Sequence, residues 1–272
     1  MSHRWQSRRW LLVLGLGLIV VAVAAVSISV ASSRDDGQQT AKMVAAMPSQ
    51  LQDPATPGRV LFTSDLERGK FPEWYVQALP GRIRLVHHSP YEGHANARFE
   101  VRPGDVEPDT GSQRAELTGP TYHEGQDLYV RTAFRVPKQN TFHGPWELIQ
   151  QFHDESDTGS PGTAVFLTSN RRLRVGAGDS SQIDWTSPVL QTERWYELVY
   201  RVNFSRDPHV GFVEVWLDGR RQRLGDGRFR EYGETMHLPE AYLKTGIYRS
   251  KYSTGVSVVE DDSVIVVERQ PH

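Results

Sequence analysis

The chain contains 272 residues, with 31 lysines and arginines against 33 aspartates and glutamates, and its formal net charge is -2. That balance excludes a general nucleic-acid-binding protein, which would be strongly basic. The chain has no cysteine, so disulfide bonds, thiolate metal sites and cysteine nucleophiles are all excluded. Any chemistry that it performs is therefore expected to be acid–base rather than thiol chemistry.

The first 31 residues are predicted to direct the chain out of the cytoplasm. Residues 1–10 carry arginines and no acidic residue, and an uncharged, mostly apolar run over 11–31 follows. About 20 apolar residues are enough to span a bilayer as a helix. The segment fits a cleaved signal peptide, with small residues at 29–31 as the cleavage site, or a retained anchor helix with the arginines on the cytoplasmic side. Both alternatives predict an extracellular or cell-surface protein, secreted or held by one membrane helix.

The rest of the chain divides into a linker and one folded domain. Residues 32–58 are rich in Ser, Asp, Gln, Ala and Pro and show no strand pattern, which predicts a flexible linker. Residues 59–272 contain many short strand candidates separated by Gly, Pro and Asp, and no helical pattern of useful length. This arrangement predicts an all-β domain, a two-sheet β-sandwich of the concanavalin-like jelly-roll kind, which we expect to be a monomer.

Two alternating segments carry the strongest strand signal. Residues 127–136 place Leu128, Val130, Phe134 and Val136 on one face. Residues 195–204 alternate in the same way, with large apolar side chains at every second position. An Asp-Gly pair at 218–219 follows the next apolar run and predicts a tight hairpin turn.

Three further segments place polar side chains where a strand normally hides apolar ones. In the first, Arg114 and Glu116 lie two positions apart, so they share a face and can orient one another. In the second, Gln151 and His153 share a face, while Phe152 points to the other.

The third segment covers residues 242–249. Here Lys244, Gly246 and Tyr248 are predicted on one face, with apolar side chains at 243 and 247 on the other. We expect Gly246 to leave an open space where a ligand approaches the backbone. Together the three segments offer a guanidinium, a carboxylate, an amide, an imidazole, an ammonium and a phenol, a set that suits an acidic polymer and proton transfer.

These segments resemble those of a known group of enzymes. QRAEL at 113–117 resembles the R-x-E-L segment of jelly-roll alginate lyases, QFH at 151–153 their Q-x-H segment, and YLKTGIYR at 242–249 their Y-x-K-x-G-x-Y segment. The form KTGIYR is also similar to glucuronan lyases and heparin lyase I. The resemblance covers roughly 59–272 and implies a polysaccharide lyase that cleaves beside a uronic acid by β-elimination. It leaves the uronan open among alginate, glucuronan, heparin-like and other polymers.

The resemblance implies a role for each catalytic candidate. Tyr248 is the expected acid and also a candidate base, and His153 is the base if the proton and the leaving group lie on opposite sides of the ring. Gln151 and Arg114 are expected to neutralise the uronate. A tyrosine needs nearby positive charge to act as a base.

Binding candidates surround this set. Lys244 is expected to support Tyr248 or bind a carboxylate, and Glu116 to orient Arg114. Arg249 would add positive charge. Trp146 and Trp185 are candidates to stack on sugar rings.

Two alternatives remain open, and no cofactor is expected. A non-catalytic, lectin-like jelly roll could use the same residues for binding alone, whereas a retaining glycoside hydrolase needs two close carboxylates, for which we find no pattern.

Histidines are scattered without metal-ligand spacing. The acidic segments 154–157 and 260–262 lack the spacing of a calcium loop, so we interpret them as solvated loops.

Overall fold

The chain folds into two antiparallel β-sheets that pack face to face. A computed structural model describes residues 58–154, 161–177 and 185–269. The predicted N-terminal helix, and the predicted linker up to residue 57, lie outside the described residues. Within the described ranges there is no α-helix, and so none that could cross a membrane.

The described residues form sixteen strands. They are β1 (Arg59–Ser64), β2 (Tyr75–Ala78), β3 (Ile83–Val86), β4 (Asn96–Val101), β5 (Gln113–His123), β6 (Asp127–Arg135), β7 (Glu147–His153), β8 (Thr163–Leu167), β9 (Leu173–Ala177), β10 (Trp185–Thr186), β11 (Trp195–Asn203), β12 (Phe212–Leu217), β13 (Arg220–Arg221), β14 (Glu231–Tyr232), β15 (Glu240–Arg249) and β16 (Ser257–Glu268). One sheet has nine strands, in the order β13-β12-β11-β6-β16-β4-β3, with β1 also paired to β16 and β14 to β12. The other has seven strands, in the order β10-β9-β8-β7-β15-β5-β2.

The inner faces of both sheets form one hydrophobic core. Leu128, Val130, Phe134 and Val136 are all fully buried in it, which confirms the face predicted from their alternation. The alternating apolar side chains of β11 lie in the same cluster. The fold is therefore the predicted all-β sandwich.

The hairpin between β12 and β13 also confirms its sequence signal. Leu217 pairs directly with Arg220, so the turn contains only Asp218 and Gly219. Their φ angles are 49° and 71°, and positive φ at both central positions is what a type I′ hairpin turn requires.

The outer face of the nine-stranded sheet buries ion pairs. Arg131 Nε donates to Glu197 Oε2 at 2.7 Å, and its side chain is fully buried. Glu260 accepts from Arg135 Nε at 2.5 Å and from Arg98 Nη1 at 2.9 Å. Charge matched in this way satisfies groups that would be costly to bury alone.

The interpretation of residues 260–262 as a solvated acidic loop is wrong. These residues lie inside β16 and are buried. Asp261 accepts a hydrogen bond from Thr245 Oγ1 at 2.6 Å, and Asp262 accepts from the backbone amide of Tyr91 at 2.8 Å. Of the other acidic segment, residues 155–157 lie outside the described residues, while Asp154 is buried and accepts from the backbone of the chain.

Candidate active site

The three polar segments lie in adjacent strands of the seven-stranded sheet. Strand β15 runs between β5 and β7. Tyr248 pairs with Arg114 on one side, and Lys244 pairs with Gln151 on the other. Residues directly opposite in an antiparallel pair share a face. The neighbours of these residues, such as Ala115, lie in the core, so the polar set occupies the outer face of this sheet, which we call the site face.

Glu116 lies at the centre of the set. Its Oε1 accepts from Gln151 Nε2 at 2.6 Å, and its Oε2 lies 3.2 Å from Arg114 Nη1 and 3.6 Å from Lys244 Nζ. All four side chains are buried. We call these four residues the Glu116 cluster. Both of its cations contact the Glu116 carboxylate, and its formal charge of +1, counted over these four residues, suits an anionic ligand.

The shorter bonds of the two cations go to uncharged groups. Arg114 Nε donates to Ser112 Oγ at 2.6 Å, and Lys244 Nζ donates to Gln77 Oε1 at 2.6 Å. Sequence reasoning missed Gln77, which lies on β2 and is 167 positions from Lys244. Neutral partners hold the cations in place without cancelling their charge.

Tyr248 lies between a cation and an aromatic ring. Arg114 Cζ is 4.2 Å from the centroid of the Tyr248 ring, and the Trp146 ring meets it edge-on with centroids 4.9 Å apart. Tyr248 is half-buried, and Trp146 is 36% exposed. The phenol is therefore accessible on the site face and next to positive charge.

His153 lies beside the first residue of the segment 242–249, at the end opposite to Tyr248. It pairs with Tyr242, and the two ring centroids lie 5.3 Å apart. The Tyr242 ring centroid is in turn 5.5 Å from Lys244 Nζ. Sequence reasoning did not single out Tyr242, although its position two residues before Lys244 places it on the same face.

Comparison with known proteins identifies the family. The family model described as "Polysaccharide lyase" matches residues 66–264. The chain belongs to the polysaccharide lyase family. The lyase is thus an enzyme whose substrate is a polysaccharide. A search of curated protein sequences found no match.

Several solved structures are similar in fold to this chain. An endo-β-1,4-glucuronan lyase from the fungus Trichoderma reesei is 19% identical with a TM-score of 0.55, over 76% of this chain and 95% of the other. The cellulose-induced protein Cip1 is 17% identical with a TM-score of 0.51, over 75% of this chain and 96% of the other. An exolytic alginate lyase from Zobellia galactanivorans is 10% identical with a TM-score of 0.48, over 74% and 96%. The first two similarities support the jelly-roll fold of the lyase.

Arg249 of the lyase does not lie on the site face. As the neighbour of Tyr248 in the strand, it points between the sheets and is 1% exposed. Its Nε donates to Gln113 Oε1 and its Nη1 to Ser257 Oγ, each at 2.9 Å. Arg249 therefore joins the two sheets instead of adding charge to the site. Trp185 packs in the core and is buried, so it offers no surface for stacking on a sugar ring.

Gly246 serves packing and leaves no open space for a ligand. Its φ of 118° is a conformation that other residues rarely adopt. A Cβ atom at this position would lie 2.7 Å from Phe99 Cδ1 in the core and closer still to the carbonyl oxygen of Ala115. Gly246 pairs with Glu116 of the site face, but its positive φ directs the Cβ position towards the core.

A cavity of 790 Å³ opens beside Tyr248 on the site face. Its walls include Trp146, Leu148, Phe166 and Arg174, which come from β7 to β9 or the segment before β7. The described residues contain no group of three or more His, Asp or Glu side chains arranged to hold a metal ion. The chemistry that can be assigned on this face is that of Tyr248, His153 and the Glu116 cluster.

Proposed function

We propose that the lyase cleaves a uronic-acid-containing polysaccharide by β-elimination and leaves an unsaturated uronate at the new non-reducing end. The observation that supports this function best is the Glu116 cluster beside Tyr248. It combines a formal excess of positive charge within the cluster with a phenol able to transfer a proton.

The first requirement of the reaction is to neutralise the uronate. The proton on C5 is weakly acidic because the neighbouring carboxylate resists further negative charge. Arg114 offers a planar fork that matches a carboxylate. Gln151 uses its Nε2 on Glu116, and its Oε1 has no hydrogen-bond partner among the described residues. The amide oxygen thus remains an acceptor for the O–H of a protonated carboxyl group at the floor of the site, whereas an ionised carboxylate would be met by Arg114.

The second requirement is proton transfer. In the step that we propose, a base takes the C5 proton, the electron pair forms the C4–C5 double bond, and the C4–O bond breaks. Tyr248 protonates the departing oxygen, and it is also the base if both transfers occur on the same side of the ring. His153 is the base if they occur on opposite sides. Arg114, 4.2 Å from the phenol ring, would stabilise the phenolate formed on proton loss.

The proposal includes the setting in which the reaction takes place. The basic start and the apolar run at 1–31 support export to the cell surface or beyond, where uronic-acid polymers are accessible. The lyase would work there as a monomer and without a metal cofactor, since the steps above use only side chains of this chain.

The test is an activity assay on a panel of polymers. Purified full-length protein is incubated with β-1,4-glucuronan, alginate and heparin, and the ultraviolet absorbance of the unsaturated product is followed. We expect product from at least one uronan, and none from the same polymer after its carboxyl groups have been reduced to alcohols. Binding to uronans without product from any of them would refute the lyase proposal and favour a lectin-like function.

A further inference from the structure

The cavity beside Tyr248 extends away from the Glu116 cluster. Its volume of 790 Å³ lies within the range of ligand pockets, about 300–1,000 Å³. Arg114, Gln151 and Lys244 are not among its lining residues. The site face therefore has a second region, and Tyr248 lies where the two regions meet.

Strand pairing places a continuous row of side chains across this region. Tyr248 pairs with Leu148, Leu148 with Phe166, and Phe166 with Arg174. Residues directly opposite one another share a face, so all four lie on the site face, and all four line the cavity. Neighbouring strands lie about 4.8 Å apart, which places Arg174 roughly 14 Å from Tyr248 across the sheet.

The row changes character along its length. Leu148 is buried and Phe166 half-buried, and they form an apolar floor next to the exposed ring of Trp146. Arg174 follows, exposed, and no carboxylate of the described residues forms an ion pair with it. An apolar floor with one charged group at its end suits sugar rings followed by a carboxylate.

The two neighbouring arginines have a different role. Arg171 Nε donates to the carbonyl oxygen of Leu190 at 3.2 Å, and Arg172 Nη1 donates to that of Ser187 at 2.8 Å. Both hold the chain that leads to β11, and neither lines the cavity. Of Arg171, Arg172 and Arg174, only Arg174 lines the cavity.

We propose that Arg174 binds the carboxylate of a uronate residue located several sugar units from the cleavage point, with the intervening rings lying over Leu148 and Phe166 and against Trp146. This inference rests on the proposed function, because it takes Tyr248 as the cleavage point. It implies that the lyase recognises acidic sugar in at least two positions, and that long substrates bind better than short ones.

The test compares Arg174→Ala with Arg59→Ala in the full-length protein. Arg59 lies on β1 in the other sheet and is 63% exposed, so its loss removes the same charge elsewhere. Kinetics are measured on oligoglucuronates and oligoalginates from the disaccharide to the octasaccharide. For Arg174→Ala we expect a KM about tenfold higher on the long oligosaccharides, equivalent to about 1.4 kcal/mol of binding, with kcat unchanged. We expect no effect on the shortest substrate that is cleaved, and none from Arg59→Ala at any length.

A binding measurement separates this proposal from the proposed function. The affinity of the same oligosaccharides is measured by calorimetry for Tyr248→Phe and for Tyr248→Phe with Arg174→Ala. If no uronan is cleaved by the native protein but the second change weakens binding of long oligosaccharides only, the proposed function fails and the Arg174 site stands. The Arg174 site is refuted by an unchanged KM and affinity, by an equal effect at every length, by the same effect from Arg59→Ala, or by no binding of any uronan.

Discussion

The outer faces of the two sheets both bury charge, but they do so differently. On the nine-stranded sheet, Arg131 and Arg135 each donate to a carboxylate at 2.7 Å or less. On the seven-stranded sheet, Arg114 and Lys244 share Glu116 at 3.2 and 3.6 Å, and their shorter bonds go to neutral oxygens. The same residue types thus form tight ion pairs on one face and a loosely compensated cluster on the other.

This difference indicates which face has a structural role and which has a functional one. A matched pair satisfies both ions, and breaking it leaves one of them buried alone. A cluster with excess positive charge beside an accessible phenol offers that charge to an anionic ligand. We therefore expect changes on the two faces to affect different properties of the lyase.

The largest expected effect is that of Tyr248→Phe. The change removes the hydroxyl that transfers protons and keeps the ring against Arg114 and Trp146. We expect kcat to fall about 1,000-fold, the size of a general acid–base contribution, with an unchanged melting temperature. Product absorbance and thermal unfolding measured on the same preparation check both parts, and more than a tenth of the native kcat would contradict the role.

The matching change on the nine-stranded sheet is Arg135→Gln. It leaves Glu260 with one of its two arginine partners. We expect the free energy of unfolding to fall by about 3 kcal/mol, at the lower end of the cost of breaking a buried pair, because Arg98 still contacts Glu260. At a temperature where the variant is folded, kcat/KM should equal that of the native lyase. A loss of activity without a loss of stability would contradict the distinction between the faces.

The corresponding change in the Glu116 cluster is Arg114→Gln. We expect kcat/KM to fall about 100-fold, because removing one preorganised group that stabilises developing negative charge typically lowers the rate by about this factor. Because neutral partners share in holding the site, stability should fall by less than it does in Arg135→Gln. Denaturant unfolding of the two variants side by side tests this order, and the reverse order would refute it.

The smallest effect on activity is expected from a carboxyl group between the sheets, whose change affects stability instead. Burial raises the pKa of Glu147 from 4.5 to about 8, despite the nearby charge of Arg249. Between those two values the unfolded chain loses its proton while the folded chain keeps it, so the native lyase loses stability as pH rises through this window. Glu147→Gln removes this contribution.

The measurement is the difference in melting temperature between native lyase and Glu147→Gln from pH 4 to pH 9. Burial also raises the pKa of Asp261 and of Asp262 to about 7, but both proteins contain these groups, so they cancel in the difference. We expect Glu147→Gln to gain relative stability as pH rises. A difference that does not vary with pH would contradict the raised pKa.

The sequence predicts those features of the lyase that depend on local alternation. The faces of β6 and β11 follow from the pleat of a strand, and so does the placement of Arg114 with Glu116 and of Lys244 with Tyr248. The order of the three segments then indicates the family through resemblance. These features need no knowledge of which strands become neighbours.

The features that the sequence does not predict depend on distant contacts or on irregular backbone. Gln77 reaches Lys244 from a short edge strand, and no local pattern connects the two. The positive φ of Gly246, which directs its Cβ position towards the core, cannot be read from the alternation of the strand. Arg249 is a different case, since its position next to Tyr248 already predicts the opposite face, and the interpretation gave its charge too much weight.

The most direct test of β-elimination at the Glu116 cluster is the mass of the products. The uronan cleaved most rapidly is digested with full-length lyase, and the oligosaccharides that carry the new non-reducing end are analysed by mass spectrometry. Elimination predicts fragments lighter than the saturated oligouronates by one water molecule, absent from digests with Tyr248→Phe. Fragments with the mass of saturated oligouronates would show hydrolysis and would contradict the mechanism.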